Sequence, residues 1–253
     1  MIARNLLILL ALSWNTSLAQ KLPSEEIIQR ISKRPFDINV ITSVMESRDP
    51  SFLPALRKAF EETSEKSAKQ VIASTLIKLG DPASEYFDYL AQFALQAVTS
   101  LAPSALVYDA EGRSVRGKIS PEFELWCQAN GLDPVQEAGK QIWTYGNDVF
   151  ELAQTRDRRA IGILRQGLDS NNRLIVQITA EGLASLQDTV SVQRIIAVTD
   201  RIPTDEMRAI LGNALTLYEE STVEKQILAA RDRRLAEKYT EALRRKREPK
   251  SSK

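Results

Sequence analysis

Of all the features in this chain, an internal repeat constrains its fold most. Residues 157–188, DRRAIGILRQGLDSNNRLIVQITAEGLASLQD, divide into two short amphipathic segments around a polar turn. In the first, Ile161, Leu164 and Leu168 fall at i, i+3 and i+7, so they line one helical stripe, with Arg158, Arg159, Arg165 and Gln166 on the other faces. Asp169, Ser170, Asn171 and Asn172 then supply side chains that bond nearby backbone and end the helix. The second segment carries Ile175, Val176, Ile178, Thr179, Ala180, Leu183 and Leu186. That apolar surface is too wide for one hairpin of helices to cover.

An earlier segment, 49–81, repeats the layout. Asp49, Leu53, Leu56, Arg57 and Phe60 stand where Asp157, Ile161, Leu164, Arg165 and Leu168 stand later. Its second helix runs through Val71, Ile72, Leu76 and Leu79, and Gly80 suits the left-handed residue just past a helix end. A third copy opens at Asp188, about 31 residues on, where Val192 and Ile195 match Ile161 and Leu164, and Leu217 matches Leu186. Units that bury their apolar faces against their neighbours predict an all-α superhelix, a helical repeat solenoid.

The Asp-x-x-x-hydrophobic-x-x-Leu-Arg opening, the polar turn and the ending Gly182-Leu183-Ala184-x-Leu186-x-Asp188 resemble short HEAT-type repeats, of the kind also found in phycobilisome-lyase-like proteins. The resemblance covers 49–99 and 155–219. It implies a HEAT-like α-α superhelix and a family of scaffolds, partner-binding modules and a few lyases. No motif here carries a lyase activity over.

Before the repeats, Arg4, the apolar run Leu6 to Leu12 and the small residues Ser17-Leu18-Ala19 have the layout of a signal peptide spanning 1–19, with cleavage expected at Ala19-Gln20 and a periplasmic or secreted product. The apolar run is too short to span a bilayer comfortably, so no stable transmembrane span is expected after cleavage; an uncleaved amphiphilic N-terminus or a membrane anchor is the alternative. Residues 20–48 read as an N-terminal cap, 49–99 as repeats, 100–120 as an insertion, and 121–219 as further helices and repeats, the whole repeat domain extending to 230. One last helix is expected from Ser221 or Thr222 through Leu243. Residues 231–253, with ten basic and four acidic side chains, read as its basic end and a disordered tail. That tail offers weak contact with an anionic surface, or simply a solvated cap.

The insertion breaks the helical pattern. Leu106-Val107-Tyr108 and Arg113 to Gly117 alternate on either side of Asp109-Ala110-Glu111-Gly112, which predicts a small hairpin or an ordered loop; a mobile spacer is the alternative. Insertions in repeat proteins gather on one face, and that face often binds. The candidate binding residues are therefore Tyr108, Asp109, Glu111, Arg113 and Arg116. Trp143 and Tyr145 are either ligand-stacking aromatics or core residues. Ser120-Pro121-Glu122 is expected to start a helix with a side-chain cap, and Tyr145-Gly146 to bend one.

Composition removes much chemistry. The chain has no histidine, which excludes Ser-His-Asp and Cys-His nucleophile systems and His-containing zinc sites. Cys127 is the single cysteine and reads as a buried hydrophobe. Net charge is +1, and about zero without Arg4, so no overall field favours nucleic acid. No metal or cofactor is expected. The expectation is a non-enzymatic scaffold that binds another protein through the insertion; the alternative is a carboxylate-dependent hydrolase or lyase using Asp109 with Glu111, or Asp133 with Glu137.

Overall fold

The computed structural model describes residues 24–31 and 38–248. The signal peptide expected over 1–19 and the final tail residues 249–253 lie outside the described residues. The chain divides into two compact units between Leu90 and Ala91. Among the described residues it is all-α apart from one two-stranded antiparallel hairpin.

The first unit holds α1 (Ser24–Ile31), α2 (Ile38–Ser47), α3 (Leu53–Glu62), α4 (Lys66–Lys78) and the start of α5 (Ser84–Val98). Helix α4 packs between α2 and α3. Its apolar positions Ile72 and Leu76 are fully buried, as are Leu56 of α3 and Ile41 of α2. Phe60 meets Tyr86 edge to face with ring centroids 4.9 Å apart, while the Lys69 ammonium lies 4.4 Å from the Phe60 ring centre. That ring therefore anchors an aromatic corner and a cation at once.

The second unit contains β1 (Leu106–Tyr108), β2 (Ser114–Ile119), α6 (Pro121–Ala129), α7 (Pro134–Lys140) and α8 (Asn147–Gln154). After them come α9 (Ile161–Gly167), α10 (Arg173–Ser185), α11 (Val192–Arg201), α12 (Asp205–Leu215), α13 (Glu220–Leu228) and α14 (Arg233–Arg247). Helices α8, α10, α12 and α14 pack side by side in chain order, α9 lies against α10, α11 against α12, and α13 against α14. The inner row thus consists of the second helix of each pair. Its wide apolar surface is buried: Ile175, Val176, Ala180 and Leu183 of α10 and Leu211, Ala214 and Leu215 of α12 are all inaccessible.

The segments beginning at Asp49 and Asp157 open the same way, whereas Asp188 starts its 3-10 turn without a side-chain cap bond. Asp49 and Asp157 accept bonds from the backbone N–H two residues on, at 2.9 Å each, and start a 3-10 turn ahead of the helix. The residue before each opening aspartate has a left-handed backbone: Arg48 at φ 54°, Gly80 at φ 84°, Arg156 at φ 56° and Gln187 at φ 53°. A left-handed residue directs the chain sharply out of one helix and delivers the carboxylate to the next. The arginine of the first helix then reaches the opening aspartate of the following unit. Arg57 Nε lies 2.6 Å from Asp81, and Arg165 grips Asp188 with two nitrogens at 2.8 and 3.0 Å. Burial alone raises the Asp188 carboxyl, but the bonds from Arg165 and Ser191 outweigh it and hold the group below its ordinary range.

Three local expectations are corrected. Ser120 precedes α6, yet its side chain makes no cap bond; Pro121 and the acidic Glu122 and Glu124 favour the start instead. The single last helix is two, because Asp232 caps a new one by accepting from Leu235 N at 3.2 Å and pairing with Arg208 at 2.7 Å. Leu217 does not repeat the burial of Leu186: it is exposed, and Leu215 and Tyr218 fill the core around it.

Candidate functional site

The insertion is a hairpin. Leu106 pairs with Ile119 and Tyr108 with Ser114, and the mismatch between those spacings is a bulge in β2. Asp109 builds its turn: the carboxylate accepts from Glu111 N at 3.0 Å and Arg113 N at 2.9 Å, and Gly112 donates to Asp109 O at 2.9 Å. Only a residue tolerant of φ 76° suits position 112, and glycine occupies it. Arg113 closes the ring by binding Asp109 at 2.9 Å and Glu111 at 3.0 Å. Backbone bonding from Arg113 holds the Asp109 carboxyl below the usual range. These three charges are thus spent on one another.

The base of the hairpin is held by Gln141. This side chain is buried; its amide donates to Pro103 O at 2.7 Å and its carbonyl accepts from Ala105 N at 2.5 Å. Gln141 begins a π-helical turn, Gln141–Gly146, that widens the helix between α7 and α8 where a bend is expected. Trp143 and Tyr145 lie on the same turn, Trp143 37% exposed and Tyr145 half-buried. Below the hairpin, Ala102, Ala105, Phe123, Cys127 and Ala138 form a small core, with Ile119 and Trp126 against it. Burial pushes the Cys127 thiol up, which suits the packing role expected of it.

From that base the hairpin crosses the inner row. Tyr108 is buried against α10, where Arg173 and Glu181 act on its hydroxyl electrostatically and burial drives its pKa far upward. Gly112 lies so near α12 that a Cβ there would stand 3.0 Å from Ile210 N. Lys238 of α14 donates to Ala110 O at 3.2 Å. Arg116, Gly117 and Lys118 of the bulge face solvent.

The candidate residues consequently separate. Asp109, Glu111 and Arg113 form the turn, Tyr108 is a buried anchor, Arg116 is exposed, and Trp143 and Tyr145 belong to the turn that holds the base. Asp133 and Glu137 are likewise engaged, Asp133 capping α7 through Gln136 N at 2.7 Å and Glu137 pairing with Lys140 at 3.3 Å. Sequence reasoning passed over Gln141, Glu181 and Lys118; only Lys118 had a visible signal, its place beside Arg116 in the same strand. Among the described residues no cluster of three metal-ligating side chains occurs, and no helix is long and apolar enough to cross a membrane. Comparison with family models, curated proteins and solved structures gives no match.

Proposed function

We propose that the chain is an exported HEAT-like repeat protein of bacterial type that serves as a protein-interaction scaffold, with the outward side of the 106–119 hairpin as its contact surface. The observation that carries this reading is the hairpin laid across α10, α12 and α14, which puts a small sheet with exposed Arg116 and Lys118 over the inner helices. Repeat proteins bind mainly through that face. The four acids considered for catalysis all serve turns, caps or ion pairs, which favours a binding role over a carboxylate-dependent hydrolase or lyase.

The test is capture from an envelope extract on immobilised Gln20–Lys253, beside an Arg116→Glu/Lys118→Glu chain of equal helicity. A protein retained by the first and lost by the second supports the reading. Equal retention by both moves the contact surface elsewhere. Export is checked separately, from the mass of the chain recovered from the periplasm or medium, which is expected to begin at Gln20.

A further inference from the structure

Between the end of α12 and the last turns of α14 lies a cavity of about 320 Å³. Tyr218 and Tyr239, both buried, line it together with Leu243, so much of its wall is aromatic or aliphatic. The polar groups around it are mostly engaged within the chain. Thr216 Oγ1 donates to Asn213 O at 2.7 Å, and the Tyr218 hydroxyl donates to Asp188 O at 3.1 Å. The last carbonyls of α12 are satisfied in turn: Asn213 O accepts from Thr216 N at 3.2 Å, Ala214 O from Leu217 N at 3.0 Å and Leu215 O from Tyr218 N at 3.3 Å. Thr216 O accepts from Lys246 Nζ at 2.6 Å.

Lys246 is the exception. An ammonium carries three N–H groups, Thr216 O takes one of them, and among the described residues Lys246 forms no ion pair. The bond to Thr216 also fixes the ammonium at the cavity wall before any guest arrives, so little side-chain freedom is left to lose on binding. Arg247 lines the same cavity and adds positive charge. A neutral or cationic guest would leave the remaining N–H groups of Lys246 to water, whereas an anion takes them in charge-assisted bonds. The volume lies at the small end of the range for ligand pockets, about 300–1,000 Å³, and the rings and Leu243 suit an apolar body.

We propose that this cavity binds a small organic acid, its carboxylate on Lys246 and its apolar part against Tyr218, Tyr239 and Leu243. The site lies about two turns along α14 from Lys238, which holds the hairpin tip, so it is distinct from the contact surface proposed above and does not depend on it.

A nuclear magnetic resonance titration of the full chain with benzoate at low salt tests this. Saturable shifts are expected in residues 214–218 and 239–247, with a dissociation constant on the order of 1 mM for so small a ligand. Benzamide, which keeps the ring and loses the charge, is expected to bind about tenfold more weakly. Lys246→Gln keeps a donor for Thr216 O but removes the cation, so it is expected to weaken benzoate about tenfold and to leave benzamide unchanged. Arg233→Gln, at the exposed start of α14, is expected to change neither. Shifts that never saturate, or that spread along all the basic residues of α14, overturn the proposal. So does a Lys246→Gln chain that binds benzoate as tightly as the wild type. Should Lys246→Gln not fold, the two ligands on the unaltered chain decide, and equal affinity for both overturns the proposal.

Discussion

Two glycines in the same seven-residue helix are expected to respond to alanine with opposite signs. In α9, Gly162 is exposed and a Cβ built on it meets nothing within 4 Å. Gly162→Ala thus gains helix propensity alone, about 0.5–1 kcal/mol of stability. At Gly167 the Cβ would lie 2.2 Å from Thr179 Cγ2 and 3.1 Å from Val98 Cγ1. Thr179 is fully buried and its hydroxyl bonds Val176 O at 3.0 Å, so its rotamer is held on both sides and the methyl has nowhere to turn. Overpacking of this kind costs about 1–3 kcal/mol, and at so short a separation the upper end applies, which leaves Gly167→Ala destabilised by about 2 kcal/mol after any propensity gain. Thr179→Ser removes the obstructing methyl at a cavity cost of about 1 kcal/mol, and in the double variant most of the Gly167→Ala penalty disappears. Urea unfolding of the four chains, followed by circular dichroism, gives the cycle. A neutral or stabilised Gly167→Ala, or a serine that recovers nothing, refutes the packing argument for α9 against α10.

The remaining predictions concern the repeat junction and the base of the insertion. Arg156 is exposed, with a left-handed backbone at φ 56°, so Arg156→Gly relieves about 1 kcal/mol of strain, loses part of it to unfolded-chain entropy, and is expected to stabilise by about 0.5 kcal/mol in the same urea assay. Destabilisation there would show that the arginine side chain outweighs its backbone. Gln141→Ala strips partners from Pro103 O and Ala105 N in a buried site and is expected to cost about 2 kcal/mol. Exchange protection should be lost first in residues 103–108; uniform loss across the unit would show that Gln141 supports the core rather than the hairpin's base.

The helix pairs were legible because a period of 3.6 residues can be checked against apolar positions one by one, and Leu56, Leu164 and Ile195 are all fully buried. The hairpin was legible in part: alternation either side of Gly112 suggested it, but the same residues also suit an ordered loop or a spacer, and only the pairing of Leu106 with Ile119 and Tyr108 with Ser114 decides. Left-handed backbones at Arg48, Arg156 and Gln187 were not, since nothing in an arginine or glutamine side chain announces positive φ. Their signal is positional, one residue before each opening aspartate, and Gly80 alone makes it visible by type. The break at 229–232 escaped because Ala229 and Ala230 are good helix formers; Asp232 ends the continuity through bonds to Leu235 and to Arg208, which is distant in sequence. The route of the hairpin across α10, α12 and α14 is tertiary throughout, and no local pattern encodes it.

The junction chemistry also changes after the segment that begins at Asp188. An arginine reaching the next opening aspartate needs both partners, and in the copy beginning at Asp188 the position equivalent to Arg165 is Ile196 and the next opening residue is Glu219. Glu219 makes no side-chain cap. Gln187 takes over part of the task, donating to Leu217 O at 2.9 Å and accepting from Glu219 N at 2.9 Å, and Lys246 of α14 donates to Thr216 O at 2.6 Å to satisfy the end of α12. Helix α14 buries Leu235 and Tyr239 inward while Arg233, Arg234, Glu237 and Thr240 face solvent. A helix packed on that side would have to desolvate those charges, so the outer surface of α14 is polar. The same helix supplies Lys238 to the hairpin tip, so the last described helix is tied to the hairpin as well as to α12.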